Sequence, residues 1–386
     1  MDRRARRLSL SLLLPLAAGC TGDGGGAREP DPPPPVVIDK SLAWASTQGA
    51  LLDDPEAVGL ARVLAAFSAD GHGGALLEDW FDTFATTAHS QRYGPALLSS
   101  SWRTQFGTDP TLWDLDALPF TVTGVHNRID LLSRDAAAGH CGEFRVSLAS
   151  TDPEPAFQPL HVIFLLRQPL GEDDVDGGEV TCRGAARRWA ALSALEGTAF
   201  LDAARAILDE SLVPSRALLA ESVEQTVSPW EWRQWQLGGT PANPALFQTV
   251  DIPRMNLPGA GHDAFVAWVE ANAAALDART MAIPEAHRSP SARLADGVPR
   301  EILDLTGVSP AVLAQFPDLR KNVEIVGCPV CHTADADFVQ TKPDRTFSPF
   351  YEKELDARKV FLDALAGGAD PVSPFGPLQP DPVLPD

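Results

Sequence analysis

The chain has 386 residues, a formal net charge of −21 and 44% hydrophobic residues. So acidic a balance argues against nucleic acid and anionic lipid headgroups as partners, since both repel a negative surface. The apolar fraction suits a globular protein with a real core, and 34 prolines predict many loops and short elements.

Arg3, Arg4, Arg6 and Arg7 precede an apolar run from Leu8 to Ala18, which ends at Gly19-Cys20. A basic start, a short apolar stretch and small residues at the end describe a signal peptide. The stretch is too short for a transmembrane helix, which needs roughly 20 apolar residues. Leu16-Ala17-Ala18-Gly19-Cys20 resembles the lipobox of bacterial lipoproteins, with Ala17 where leucine is most common. The resemblance implies that residues 1–20 are a lipoprotein signal peptide, cleaved before Cys20. It also implies a diacylated Cys20, and two acyl chains anchor stably where one does not. Thr21 stands where inner-membrane lipoproteins commonly carry aspartate, which points to the outer membrane. Residues 21–37, with Gly24-Gly25-Gly26 and Pro32 to Pro35, read as a linker that cannot bury apolar surface.

Apolar spacing predicts helices over 57–67, 75–84 and 91–106. Three short segments rich in Val, Ile, Leu and Phe follow, 120–131, 143–149 and 160–166, and read as strands. The turn-rich 150–159 suits an antiparallel hairpin between the last two. A long helix is expected from Arg183 to Leu212, then strands over 230–237 and 246–252, then helices over 265–276, 308–316 and 350–366. Helices, then strands, then helices predict an α+β fold: helical N-terminal part, antiparallel middle, helical C-terminal part. The division expected is a main α+β domain over 38–305, a C-terminal segment over 306–369 and a proline-rich tail over 370–386.

Apart from Cys20 there are four cysteines, Cys141, Cys182, Cys328 and Cys331, an even number in an oxidising compartment. Of three possible pairings, the most economical joins Cys141 to Cys182 and leaves the close pair for another purpose. That pair lies in Cys328-Pro329-Val330-Cys331-His332, which resembles the attachment site of c-type cytochromes. The resemblance implies thioether links from Cys328 and Cys331 to a haem c, with His332 as axial iron ligand. The 54 residues after His332 contain neither Met nor His. A sixth ligand must then come from upstream, with His262, Met281 and His287 the nearest candidates, or the iron is five-coordinate. A local disulfide, or zinc held with His332 and Asp335 or Asp337, are the competing readings.

Thr123-Gly124-Val125-His126-Asn127-Arg128-Ile129-Asp130-Leu131, followed by Cys141-Gly142-Glu143-Phe144-Arg145, is similar to a family of uncharacterised exported proteins of myxobacteria and their relatives. Members tend to end in Cys-x-x-Cys-His. The resemblance implies that Cys141 and the C-terminal motif belong to one design, and it names no substrate.

On a strand, His126, Arg128 and Asp130 share a face at period two, which suits either an anion site or a polar network in which Arg128 pairs with Asp130 or Glu143. The acidic loop Glu172 to Glu179 reads as a solvated loop, with calcium the rival. Trp230, Trp232 and Trp235 read as core, with a sugar platform the rival. No catalytic set is evident, so whether the chain is an enzyme stays open. The leading expectation is an outer-membrane lipoprotein carrying one haem for electron transfer or haem-based redox chemistry. Its partners would be the membrane, through Cys20, and a redox protein. The alternative is a non-catalytic envelope binding or structural lipoprotein in which Cys328 and Cys331 form a disulfide.

Overall fold

In the computed structural model the described residues are 38–371, without 87–93, 133–139, 152–159, 225–230, 237–244, 248, 251–259, 279–287, 290–291, 294–304, 318, 320–339 and 348. They combine helices with antiparallel sheet, as the α+β expectation holds. The sheet is built from β1 (Ala43–Trp44), β2 (Phe120–Arg128), β3 (Glu143–Ser150) and β4 (Leu160–Arg167). Two short strands, β5 (Val175–Asp176) and β6 (Glu179–Val180), form their own ribbon before β7 (Ala217–Glu224), β8 (Glu231–Gln236) and β9 (Ala245–Phe247). Then come β10 (Thr249–Val250), β11 (Arg288–Ser289) and β12 (Ala292–Arg293). The main sheet runs β1-β2-β3-β4-β7-β8-β12, with β9 also on β8 and every pairing antiparallel.

The helices are α1 (Gly49–Leu52), α2 (Pro55–Val58), α3 (Leu60–Phe67), α4 (Gly74–Thr86), α5 (Gly94–Phe106), α6 (Arg183–Ala191) and α7 (Gly197–Ser211). After them come α8 (Ala260–Ala271), α9 (Ala273–Asp277), α10 (Pro310–Gln315) and α11 (Pro349–Ala366). The long helix expected over 183–212 is broken between α6 and α7, where Glu196 is extended and Gly197 takes φ +56°. A left-handed residue cannot continue a right-handed helix, and glycine adopts it without strain. The strand β7 was not expected. Ala217-Leu218-Leu219-Ala220 has the residues of a helix, and the paired backbones of β4 and β8 override that propensity.

Strand alternation divides the sheet into two faces. Val122, Val125, Phe144, Val146, Leu148, Val162, Phe164 and Ala220 point into the main core, with helical residues such as Leu64, Phe67, Leu77 and Phe200. Six of the nine tryptophans are buried there, Trp44, Trp80, Trp102, Trp113, Trp189 and Trp235. Trp80 meets Phe81, Phe164 and Trp235 edge-on at 5.2, 5.7 and 5.7 Å between ring centroids. The core reading of the tryptophan strand therefore holds for Trp235, while the side chains of Trp230 and Trp232 lie outside the description. A second, smaller core gathers Phe265, Val269, Ala273, Leu276, Leu305, Val308 and Leu319 from both sides of the boundary expected at 305/306. No helix among the described residues is long and apolar enough to cross a membrane.

The expected Cys141–Cys182 bridge is present, with a Cα–Cα distance of 5.4 Å and both residues buried. It ties the entry of β3 to the start of α6. The acidic loop serves the same helix: buried Asp174 accepts from the Gly171 amide at 2.6 Å and from the Ala185 amide at 3.0 and 3.2 Å. Its carboxylate thus caps the Ala185 amide in the first turn of α6, and Asp173 pairs with Arg187 at 3.1 Å.

Because Trp235 closes the aromatic stack, Trp235→Ala is expected to cost about 3–5 kcal/mol of unfolding free energy. Urea titration followed by far-UV circular dichroism reads the loss directly; a change under 1 kcal/mol would remove Trp235 from the core.

Candidate functional site

The other face of the sheet is unusual, because it is buried and polar. His126 and Arg128 of β2, Glu143, Arg145 and Ser147 of β3, and His161 and Arg167 of β4 alternate with the core residues and so point the opposite way. Glu221 of β7 stands opposite Ile163, and an apolar patch of Ile163, Leu165, Leu218 and Leu219 adjoins it. A β-bulge sets this arrangement. Pairing shifts between Val122 and Gly124, with Thr123 the extra residue. Without that shift Val122 and Val125 could not both face the core, and His126 would lie among the tryptophans.

The strand ends at Arg128, three residues short of the expected 131, and Ile129–Leu131 turns as a short 3-10 helix. Asp130 therefore does not sit on the strand. The turn instead folds its carboxylate back onto Arg128, with Nη2 at 3.0 Å and Nε at 3.2 Å from both oxygens. Helix α11 supplies the second cation. Buried Arg358 holds Nε 3.3 Å from Asp130 Oδ1, donates from Nη1 to Tyr351 Oη at 2.6 Å, and donates from Nη2 to the Asn127 carbonyl. Tyr351 Oη lies 2.8 Å from His126 Nδ1.

Burial alone would raise the Asp130 carboxyl, but Arg128 and Arg358 together hold it below its ordinary value of 3.8. Burial, reinforced by Arg358, Arg145, His161 and Arg128, drives His126 well below 6.5, so it is a neutral imidazole. His161 is lowered by burial to about 3. Its Nε2 is 3.4 Å from Thr123 Oγ1, which accepts a bond from Thr341 Oγ1 at 3.0 Å. Arg145 reaches Glu143 through Nε at 2.7 Å and Nη2 at 2.5 Å. Behind β2, Gln168 donates to Asn127 Oδ1 at 2.6 Å and accepts from Trp189 Nε1 at 2.6 Å.

The chain just after the Cys-x-x-Cys-His motif is fastened to this face. Ser147 Oγ donates to Gln340 Oε1 at 3.3 Å, and a tight turn between Thr341 and Phe347 places Arg345 at φ +65°. Arg345 then donates to the Val122 carbonyl at 2.9 Å and pairs with Asp53 at 2.6 Å. A Cβ on Gly124 would lie 3.0 Å from His126 Nε2 and from Thr341 Oγ1, so the bulge glycine is what lets those two groups approach.

Cys20, Cys328, Cys331 and His332 lie outside the described residues, as do Met281 and His287. His262 is described and its Nε2 is 2.8 Å from the Thr306 carbonyl. Comparison with protein-family models, curated proteins and solved structures gives no match. The structure brings together His126, Arg128 and Asp130, adding Tyr351, Arg358 and His161, which sequence reasoning missed. One signal was available: Tyr351, Leu355, Arg358, Leu362 and Leu365 follow each other at helical spacing, so Arg358 interrupts an apolar stripe.

Two outcomes follow from this charge arrangement. Arg358→Leu removes one of the two cations beside a buried carboxylate and is expected to cost about 3–5 kcal/mol, measurable by urea unfolding. The His161 effect has the opposite sign to a salt-bridged histidine. Folded His161 stays neutral between pH 6.5 and about 3 while the unfolded chain takes up a proton, so stability falls as pH falls through that window. Its share is about 1.4 kcal/mol per pH unit. His161→Gln should flatten the stability curve between pH 6 and 4 by that slope; an unchanged slope would show that His161 protonates in the folded state.

Proposed function

We propose that the protein is an envelope lipoprotein, held to the outer membrane by acylated Cys20, which carries one haem c through Cys328 and Cys331 with His332 as axial ligand. The observation that carries the reading is the pairing of an attachment motif with a buried polar face. Gln340 and Thr341, only eight and nine residues beyond His332, are bonded to that face at Ser147 and Thr123. A covalent haem supplies a one-electron couple whose potential is set by its ligands, burial and nearby charge. Within this chain, Cys328 and Cys331 would hold the haem covalently and His332 would hold its iron. The role is electron transfer with a redox partner protein, or haem-based chemistry if the sixth position is open.

The bridge between Cys141 and Cys182 favours a second reading, since it shows that this chain uses paired cysteines as struts. In that reading Cys328 and Cys331 form another disulfide in a binding or structural lipoprotein without redox activity.

A haem stain on a denaturing gel separates the two. Protein exported in a host with cytochrome-maturation machinery is expected to stain, and Cys328→Ser is expected to lose the covalent stain. Unstained wild-type protein without free thiols at either cysteine would decide for the disulfide. For the anchor, Cys20→Ser is expected to move the protein from the membrane to the soluble fraction and abolish acyl labelling; unchanged fractionation would sink the lipid assignment.

A further inference from the structure

Residues 340–347 and helix α11 close over part of the buried polar face, and two buried histidines stand where they attach. Tyr351 of α11 lies 2.8 Å from His126 Nδ1, with the two rings at 90°. Thr341 donates to Thr123 Oγ1 at 3.0 Å, and that hydroxyl lies 3.4 Å from His161 Nε2. Gln340, Arg345 and Arg358 complete the attachment, at Ser147, the Val122 carbonyl and Asp130. Among the described residues this stretch supplies no strand of the main sheet, so its departure would leave the strand pairings intact.

Neither ring accepts a proton in the closed form. Burial keeps both neutral, and Arg358, Arg145 and Arg128 lie near enough to His126 to repel a further positive charge. The carboxylates of this face are committed to arginines. Asp130 is shared by Arg128 and Arg358, Glu143 pairs with Arg145, and Glu221 of β7 also acts on Arg145. Arg167 of β4 stands opposite Glu143 in the strand pairing, and Arg345 is paired with Asp53.

Once the stretch lifts away, both imidazoles reach water and titrate near their ordinary value of about 6.5. Protons are then bound by the open form and not by the closed one, so opening is favoured as pH falls below that value. The opposing force is apolar. Leu355, Phe361, Leu362 and Leu365 of α11 are buried in the main core and hold the stretch shut at neutral pH.

We propose that residues 340–347 and α11 form an acid-released clasp, which lifts from the sheet with uptake of two protons, at His126 and His161, while β2, β3 and β4 stay paired. The proposal rests on the fold alone and is independent of the haem reading.

The test is native-state hydrogen exchange on the full chain between pH 6.5 and 5, read by mass spectrometry. Each rate is divided by the intrinsic exchange rate at that pH, which gives an opening constant. Amides of α11 are expected to open more readily than those of β3 and β4 at every pH. Their opening constant is expected to rise about 60-fold from pH 6 to pH 5, about 8-fold for each histidine. Asp130 is held below 3.8, so its own protonation enters only at lower pH. His126→Gln and His161→Gln are each expected to leave about an 8-fold rise, and the double variant almost none. Equal opening constants for α11 and the strands would show one cooperative unfolding and overturn the clasp. An α11 opening constant that does not change with pH would overturn its release by acid, and so would a 60-fold rise that survives in both single variants. Should a variant not fold, the wild-type comparison of α11 with β3 and β4 decides by itself.

Discussion

A guanidinium removed from water must find acceptors for its protons, and much of this structure is arranged around meeting that demand for Arg358. The side chain enters from the last helix and is met by a carboxylate, a phenol and a main-chain carbonyl. Each of those partners has a second duty. Asp130 also neutralises Arg128, Tyr351 orients His126, and Asn127 ties Ser41 and Gln168 into β2. Removing two ions from water is costly, and an isolated buried pair is weak evidence for stability. Here the pair is part of a network whose members share partners, and its effect is to fix the last helix against β2 in one arrangement.

Charge on the inner side of a sheet is compatible with folding only if the opposite side carries the hydrophobic load. That division is visible along β3, where Phe144, Val146 and Leu148 pack among tryptophans while Glu143, Arg145 and Ser147 face away. The bulge at Thr123 extends the same division into β2. It moves a histidine from a setting where it could only be a liability to one where it has partners.

Much of the fold was legible because its signals are local. The strands β2, β3 and β4 announce themselves by β-branched and aromatic residues between turn-formers, and α3 and the last helix by apolar spacing, although the helix expected over 57–67 is divided at Gly59 between α2 and α3. The disulfide was anticipated as the most economical of three possible pairings, the one that leaves the close pair Cys328 and Cys331 aside. What escaped were features decided by non-local pairing. Ala217–Glu224 is a strand only because β4 and β8 flank it, and the break at Gly197 depends on a backbone conformation that composition does not reveal. The candidate site divides in the same way. His126, Arg128 and Asp130 stood out in sequence, and the Arg128–Asp130 pair was anticipated. The turn that delivers Asp130 was not, nor were Tyr351 and Arg358, which lie more than two hundred residues away. No pattern in a single sequence connects positions so far apart.

That separation carries a consequence for how the molecule is made. Arg358 and its carbonyl partner at Asn127 are 231 residues apart. Closing so long a stretch of chain costs conformational entropy before the contact returns any stabilisation. Until the C-terminal helix docks, Asp130 has only one of its two cations, so the charged layer is complete only when the two distant parts of the chain have met.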